Sequence, residues 1–197
     1  MASRKTLNPS LAVLILKPNL TEIQTLMKRE IETERLRLVP CEIENLTAIH
    51  ALWTSETVRR FLFDDQTLDL EQTRAFIETS RENFRREGYG IWLILRRDNG
   101  ELIGFAGLLK TEAEFPNLLY GLHPDFTGRG LGTEAARAVL DYAFGALNFP
   151  KIFADVDEAN AASVRVLERL GMQFTKRAIV GGKPLFYFEK FNSNHRV

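Results

Sequence analysis

Three glycines at alternate positions, Gly128, Gly130 and Gly132, lie within His123-Pro-Asp-Phe-Thr-Gly-Arg-Gly-Leu-Gly-Thr-Glu134, between a strand pattern and a helix pattern. Without Cβ atoms, the backbone there can turn sharply and approach a ligand closely. The helix that follows offers unpaired N–H groups and the positive end of its dipole, which suits a phosphate. Arg129 adds a positive charge, or simply points to solvent. A plain structural turn has the same composition, so the loop alone does not decide between the two.

Other nucleotide motifs fit badly. In the dinucleotide fingerprint the third glycine comes three residues after the second, whereas Gly132 follows Gly130 by two. No lysine occupies the place a P-loop requires. A second segment, Asn160-Ala-Ala-Ser-Val-Arg-Val-Leu-Glu-Arg-Leu-Gly171, opens on a good N-cap residue and closes on a glycine suited to a left-handed stop. Its Val164, Leu167 and Leu170 form one apolar face, so most of this helix is scaffold.

These segments sit in a regular series of elements. Arg35–Pro40 alternates as a strand, and Glu42–Trp53 carries Ile43, Leu46, Ile49 and Leu52 on one helical face. Leu70–Arg86 predicts a second helix, with Phe76, Ile77 and Phe84. Gly90–Arg96 and Leu102–Leu109 flank the turn residues Asp98-Asn99-Gly100 as a hairpin. Asn117–Leu122 forms the fourth strand and runs into the glycine loop; a helix over Thr133–Leu147 and a fifth strand over Lys151–Val156 follow. After the Asn160–Leu170 helix, Phe174–Val180 and Leu185–Phe191 close the domain as a hairpin. The order predicts an α+β fold with a mixed, mostly antiparallel sheet flanked by helices.

Composition narrows the function classes. The 197 residues carry 26 Lys+Arg against 26 Asp+Glu, so no global basic field points to nucleic acid or to an acidic membrane. The single cysteine, Cys41, allows no internal disulfide, and it reads as a buried thiol rather than a nucleophile. His50, His123 and His195 are too scattered for metal-ligand spacing, so no metal is expected. Residues 1–30 read as an N-terminal appendage, with an apolar run over Leu11–Leu16 that Lys17-Pro18 interrupts and a helix over Leu20–Arg29. Six apolar residues fall well short of the roughly 20 a membrane span needs, which favours a cytoplasmic location. Residues 31–191 form the domain and 192–197 a C-terminal tail.

Thr127-Gly-Arg-Gly-Leu-Gly132 resembles the acyl-CoA loop of the GNAT superfamily, Gln/Arg-x-x-Gly-x-Gly/Ala, with Thr127 in place of the usual first residue. The Thr133-Glu134-Ala135 continuation and the opening Glu32-Thr-Glu-Arg-Leu-Arg-Leu38 are similar to the branch of ribosomal-protein serine/alanine N-terminal acetyltransferases. The Asn160 helix, about 30 residues after the loop, agrees with the family in type and place. The resemblance implies the acyl-CoA N-acyltransferase fold, in which the fourth and fifth strands splay to admit the cofactor. It implies acetyl-CoA as co-substrate and direct acetyl transfer to a primary amine, either a protein N-terminus or a small molecule. No nucleic-acid or membrane partner is implied, and a homodimer is compatible with the branch. The implied cofactor-binding residues are Leu122, Thr127, Gly128, Arg129, Gly130, Leu131, Gly132, Thr133, Asn160 and Ser163.

The acid and base are less clearly marked. Many relatives carry a tyrosine seven residues after the asparagine as the thiolate acid, and here Leu167 occupies that place. Ser163 is the remaining candidate to serve the leaving sulfur, with support of the helix's first turn as the alternative. Asn117 replaces a strand glutamate common among relatives, which leaves Glu114 and Glu112 as carboxylates able to act through water, or as solvated loop charges. Phe61, Phe63, Asp64, Asp65 and His123 are candidates for the acceptor side. A non-catalytic acyl-CoA-binding module is the alternative that the absent tyrosine keeps open.

Overall fold

The computed structural model describes residues 29–193 together with residue 195. The apolar run of the appendage and most of its expected helix lie outside the described residues. Arg29, at the appendage's end, does engage the domain: its carbonyl accepts a hydrogen bond from Trp92 Nε1 (2.7 Å). The expected tail likewise begins inside the fold, because Asn192 is buried and its Nδ2 donates to the carbonyls of Phe144 and Phe149.

The strands are β1 (Ile31–Glu32), β2 (Leu36–Pro40), β3 (Ile91–Arg96), β4 (Leu102–Leu109), β5 (Asn117–Leu122), β6 (Lys151–Asp157), β7 (Gln173–Val180) and β8 (Lys183–Phe191). They form one sheet in the order β1-β2-β3-β4-β5-β6-β8-β7. Every neighbouring pair is antiparallel except β5–β6, which is parallel, as a connection through a helix requires. The helices are α1 (Leu46–Thr54), entered through a 3-10 turn at Ile43–Asn45, α2 (Glu56–Leu62), α3 (Leu70–Glu87), α4 (Leu131–Gly145) and α5 (Ala161–Arg169). The mixed, mostly antiparallel α+β fold expected from the sequence is present. Between β7 and β8, Gly181 and Gly182 both take positive φ (57° and 82°), which suits the two-residue hairpin turn they form.

Strand alternation divides the sheet between two cores. Trp92, Ile94, Leu118, Ile152, Ala154 and Val156 face α4 and α5, where they meet Ala135, Val139, Leu140 and Leu167. Ile91, Leu93, Phe105 and Leu119 face the other way, against Ile49, Trp53, Val58 and Ile77. Alanines on the inner face of α4 let its backbone lie close to the sheet. Burying Val139 and Leu140 adds roughly 1.5–3 kcal/mol each. These contacts fix α4, and with it the loop that leads into it.

Candidate active site

The decisive feature is the join between β5 and β6. Their pairing is confined to Asn117 opposite Phe153, supported by Phe153 N–H donating to the Pro116 carbonyl (3.1 Å). Beyond Asn117 the two strands part, and the β5 edge facing β6 has no strand partner. A cleft of about 730 Å³ opens there, a size within the range of ligand sites. The glycine loop and α5 line it on one side of the sheet, and α2 lines it on the other.

The loop begins as β5 ends at Leu122. A 3-10 turn over Pro124–Phe126 follows, closed by Thr127, whose Oγ1 donates to the Pro124 carbonyl (2.8 Å). Gly128 and Gly130 then take left-handed φ of 73° and 77°, and Gly130 is the N-cap of α4. A Cβ at Gly128 would meet nothing within 4 Å, and one at Gly130 only the Arg35 guanidinium at 3.6 Å. Backbone conformation therefore demands glycine at both positions, and the space around them stays open. Gly130 offers no side chain to cap the helix, so the first N–H groups of α4 face the cleft without a side-chain acceptor from the N-cap. Glu134 accepts from Thr33 Oγ1 (2.6 Å), Arg35 N (3.0 Å) and Arg35 Nε (2.6 Å), while Arg35 Nη1 donates to the Arg129 carbonyl (3.1 Å).

On α5, Asn160 is the N-cap and its Oδ1 accepts from Ser163 N (3.1 Å). Both side chains line the cleft. Tyr120 reaches them from β5, its hydroxyl donating to the Ser163 carbonyl (3.1 Å). Burial pushes the Tyr120 hydroxyl up to about 12, against the opposing hydrogen bond to Ser163, so it stays protonated near neutrality. Leu167 is buried in the core, and Tyr120, from β5, stands over the first turn of α5.

Charge divides across the sheet. Arg165 and Arg169 of α5 line the half that holds the glycine loop. Asp155 and Asp157 of β6 line the cleft too, and their strand positions point toward α2, together with Asn117. Asn117 Nδ2 donates to Asp155 Oδ1. The Asp155 carboxyl is raised from its ordinary value, by partial desolvation first and by the Asp157 charge second, although the residue as a whole remains exposed. Sequence reasoning missed Asp155, because a lone aspartate in a strand carries no motif; only the alternation of β6 against its buried neighbours could have singled it out.

Of the expected cofactor residues, Leu122, Thr127, Gly128, Gly130, Gly132, Thr133, Asn160 and Ser163 all line the cleft. The side chains of Arg129 and Leu131 do not: the Arg129 guanidinium lies 5.8 Å from the Phe126 ring centre, and Leu131 is buried in the core. Glu114 and Glu112 sit exposed on the β4–β5 loop, and neither lines the cleft. On the acceptor side, Thr57, Val58, Phe61 and Leu62 of α2 line the cleft, but Phe63 packs on Trp53 (ring centres 5.6 Å apart). Asp64 pairs with Lys183 (3.0 Å) and Asp65 with Arg59 (3.0 Å), so both carboxylates are engaged outside the cleft. His123 caps the 3-10 turn through Nδ1 (3.4 Å from Asp125 N) rather than lining the cleft. Cys41 is buried, and burial together with the Glu42 charge pushes its thiol up to about 12, which suits an inert core group. Among the described residues there is no group of three or more His, Cys, Asp or Glu side chains placed to hold a metal, and no helix is long and apolar enough to cross a membrane.

Residues 35–173 match the family model described as an acetyltransferase (GNAT) domain. The chain is 29% identical over 178 residues to the uncharacterized protein YkkB of Bacillus subtilis, covering 85% of this chain and 98% of that one. It is 28% identical over 144 residues to the spermidine N(1)-acetyltransferase of Escherichia coli, covering 69% and 72%. Its fold superposes with a TM-score of 0.71, at 17% identity, on the ribosomal alpha-N-protein acetyltransferase RimL solved in complex with coenzyme A, covering 82% and 97%.

Proposed function

The chain belongs to the GNAT acetyltransferase family, and on that premise we propose that it transfers the acetyl group of acetyl-CoA directly to a primary amine, on a protein N-terminus or a small molecule. The observation that carries this reading is the cleft through the sheet, lined by an anion-suited half and a carboxylate-bearing half. On the α4–α5 side, the open first turn of α4 and the left-handed glycines Gly128 and Gly130 suit phosphates, with Arg165 and Arg169 nearby. The unpaired edge of β5 offers main-chain groups to an extended arm, as an added strand would use them. On the α2 side, the apolar wall of Val58, Phe61 and Leu62 gives an acceptor room to lie against the parted strands.

The chain's own residues then have separable tasks. The loop and Asn160 hold and orient the acetyl donor, which lowers the entropic barrier to attack. Asn160 and Ser163 stand where the first turn of α5 meets the cleft, and Tyr120 adds a protonated hydroxyl beside them. Both kinds of acceptor remain in view, because the relatives include an enzyme named for spermidine and another named for a ribosomal protein.

Incubation with acetyl-CoA and a panel of peptides, polyamines and aminoglycosides tests the reading through release of free thiol. The expected result is turnover with at least one amine, together with acetyl-CoA binding by calorimetry. Binding without turnover on any amine would identify a cofactor-binding module instead. Neither binding nor turnover would sink both.

A further inference from the structure

We propose that Asp155, oriented by Asn117 at the point where β5 and β6 part, is the catalytic residue that receives the acceptor's ammonium and takes a proton from it. This inference rests on the acetyl-transfer reading and assigns that reaction its base.

Three observations converge on Asp155. The first is position. Asn117 and Phe153 form the last rung between β5 and β6, and Asp155 stands two residues beyond it on β6. It therefore lies at the vertex of the cleft, where the two halves meet through the sheet. The second is direction. Ile152, Ala154 and Val156 are buried against α4 and α5, so strand alternation turns Asp155 toward α2. That is the face on which Thr57, Val58, Phe61 and Leu62 leave room for an acceptor. The third is chemistry. Asn117 Nδ2 holds one carboxylate oxygen, Oδ1, which leaves Oδ2 to meet a cation. Among the described residues no Lys or Arg is paired with Asp155, whereas Asp64, Asp65, Glu134 and Glu158 all have cationic partners. Partial desolvation and the Asp157 charge raise its carboxyl from its ordinary value, the direction that strengthens a base.

The step balances without another co-reactant. The amine nitrogen bonds to the acetyl carbonyl carbon, and the carbon–sulfur bond breaks with its electron pair passing to sulfur. The ammonium loses two protons in all. One passes to Asp155 and from there to water, and the other ends on the thiolate.

The test compares wild type, Asp155→Asn, Asp155→Ala and Asn117→Ala with whichever amine the wild-type chain acetylates. For Asp155→Asn, kcat is expected to fall about 100-fold or more, in the range for loss of a positioned base. Its acetyl-CoA Kd should stay within about twofold of wild type, as a residue of the acceptor face requires. Asp155→Ala should regain activity when formate is added, a response that a structural role does not produce. Asn117→Ala should lower kcat by about tenfold without moving the acetyl-CoA Kd, since it acts through Asp155. Should Asp155→Asn melt early, rescue of Asp155→Ala by formate decides the question. Wild-type turnover matched within about threefold by Asp155→Asn, or no rescue by formate, overturns the role of Asp155 alone. A wild-type chain that acetylates no amine overturns the acetyl-transfer reading and this assignment together.

Discussion

Arg35, just before β2, and Glu134, in the first turn of α4, are joined through two hydrogen bonds from one residue to the other's carboxylate. Thr33 donates a third, and Arg35 also reaches the Arg129 carbonyl inside the glycine loop. The start of the domain is thereby fastened to the loop that would hold phosphates, across about 100 residues of chain. Burial alone would raise the Glu134 carboxyl. The hydrogen bonds from Thr33 and from the Arg35 backbone and guanidinium, with the charge of Arg35, outweigh it and hold the group below its ordinary value of 4.5.

This latch predicts a joint effect on stability and binding. Arg35→Ala should cost about 1–2 kcal/mol, because Glu134 keeps only part of its partners while staying mostly buried. It should also weaken acetyl-CoA binding several-fold by freeing the Arg129 carbonyl. A loss of melting temperature with unchanged Kd would show that the latch serves the fold alone. The pH dependence has a definite sign. A carboxyl whose folded value is depressed stabilises fully above its ordinary 4.5, and that contribution fades as the pH falls through the lower folded value. Denaturant titrations between pH 6 and pH 3 should therefore show Arg35→Ala losing less stability on acidification than wild type.

Gly128 and Gly130 allow a cleaner test of the loop, because conformation and space separate there. Gly128→Ala should cost about 1–2 kcal/mol from its left-handed φ, with no steric clash to add. Gly130→Trp should abolish acetyl-CoA binding, since its side chain must enter open space beside Arg35 and the cleft. Circular dichroism confirms the fold, and calorimetry reads the binding. Retained affinity in Gly130→Trp would remove the loop from the site.

Tyr120→Phe removes one hydroxyl and its bond to the Ser163 carbonyl. The expected loss is about 1 kcal/mol of stability. If the hydroxyl also serves the leaving sulfur, kcat should fall further, by about tenfold, at unchanged acetyl-CoA affinity. An unaltered kcat confines Tyr120 to bracing α5.

The sequence made the loop and the Asn160 cap legible because both depend on backbone conformation, which glycine and asparagine reveal by type. Periodicity likewise exposed α1, α3 and the long strands. It missed α2, a helix of seven residues with only Val58 buried, too short to show a stripe. It also missed β1, where two residues pair at the sheet edge. Asp155 and Tyr120 were hidden for another reason. Each matters through a partner far along the chain, Asn117 and Ser163, and no local pattern records such a meeting. Nearness in sequence to β5 does not by itself place Glu114 at the cleft, because the loop carries it out to solvent, as one of its two readings has it.

Asn160 is where cap and cofactor contact can be told apart. Its Oδ1 satisfies the Ser163 N–H, so Asn160→Ala should destabilise by about 1 kcal/mol through the cap alone. Asn160→Ser keeps a capping oxygen but removes the amide Nδ2 from a residue that lines the cleft. A residue that only caps would leave the acetyl-CoA Kd of Asn160→Ser at the wild-type value, with stability within a few tenths of a kcal/mol. A residue that also contacts the pantetheine arm would show wild-type stability with Kd raised several-fold, since each lost hydrogen bond to a ligand is worth about 0.5–1.5 kcal/mol. We expect the second result, because Asn160 lines the cleft beside the parted strands. Calorimetry on the two variants, with denaturant melts run in parallel, separates the outcomes.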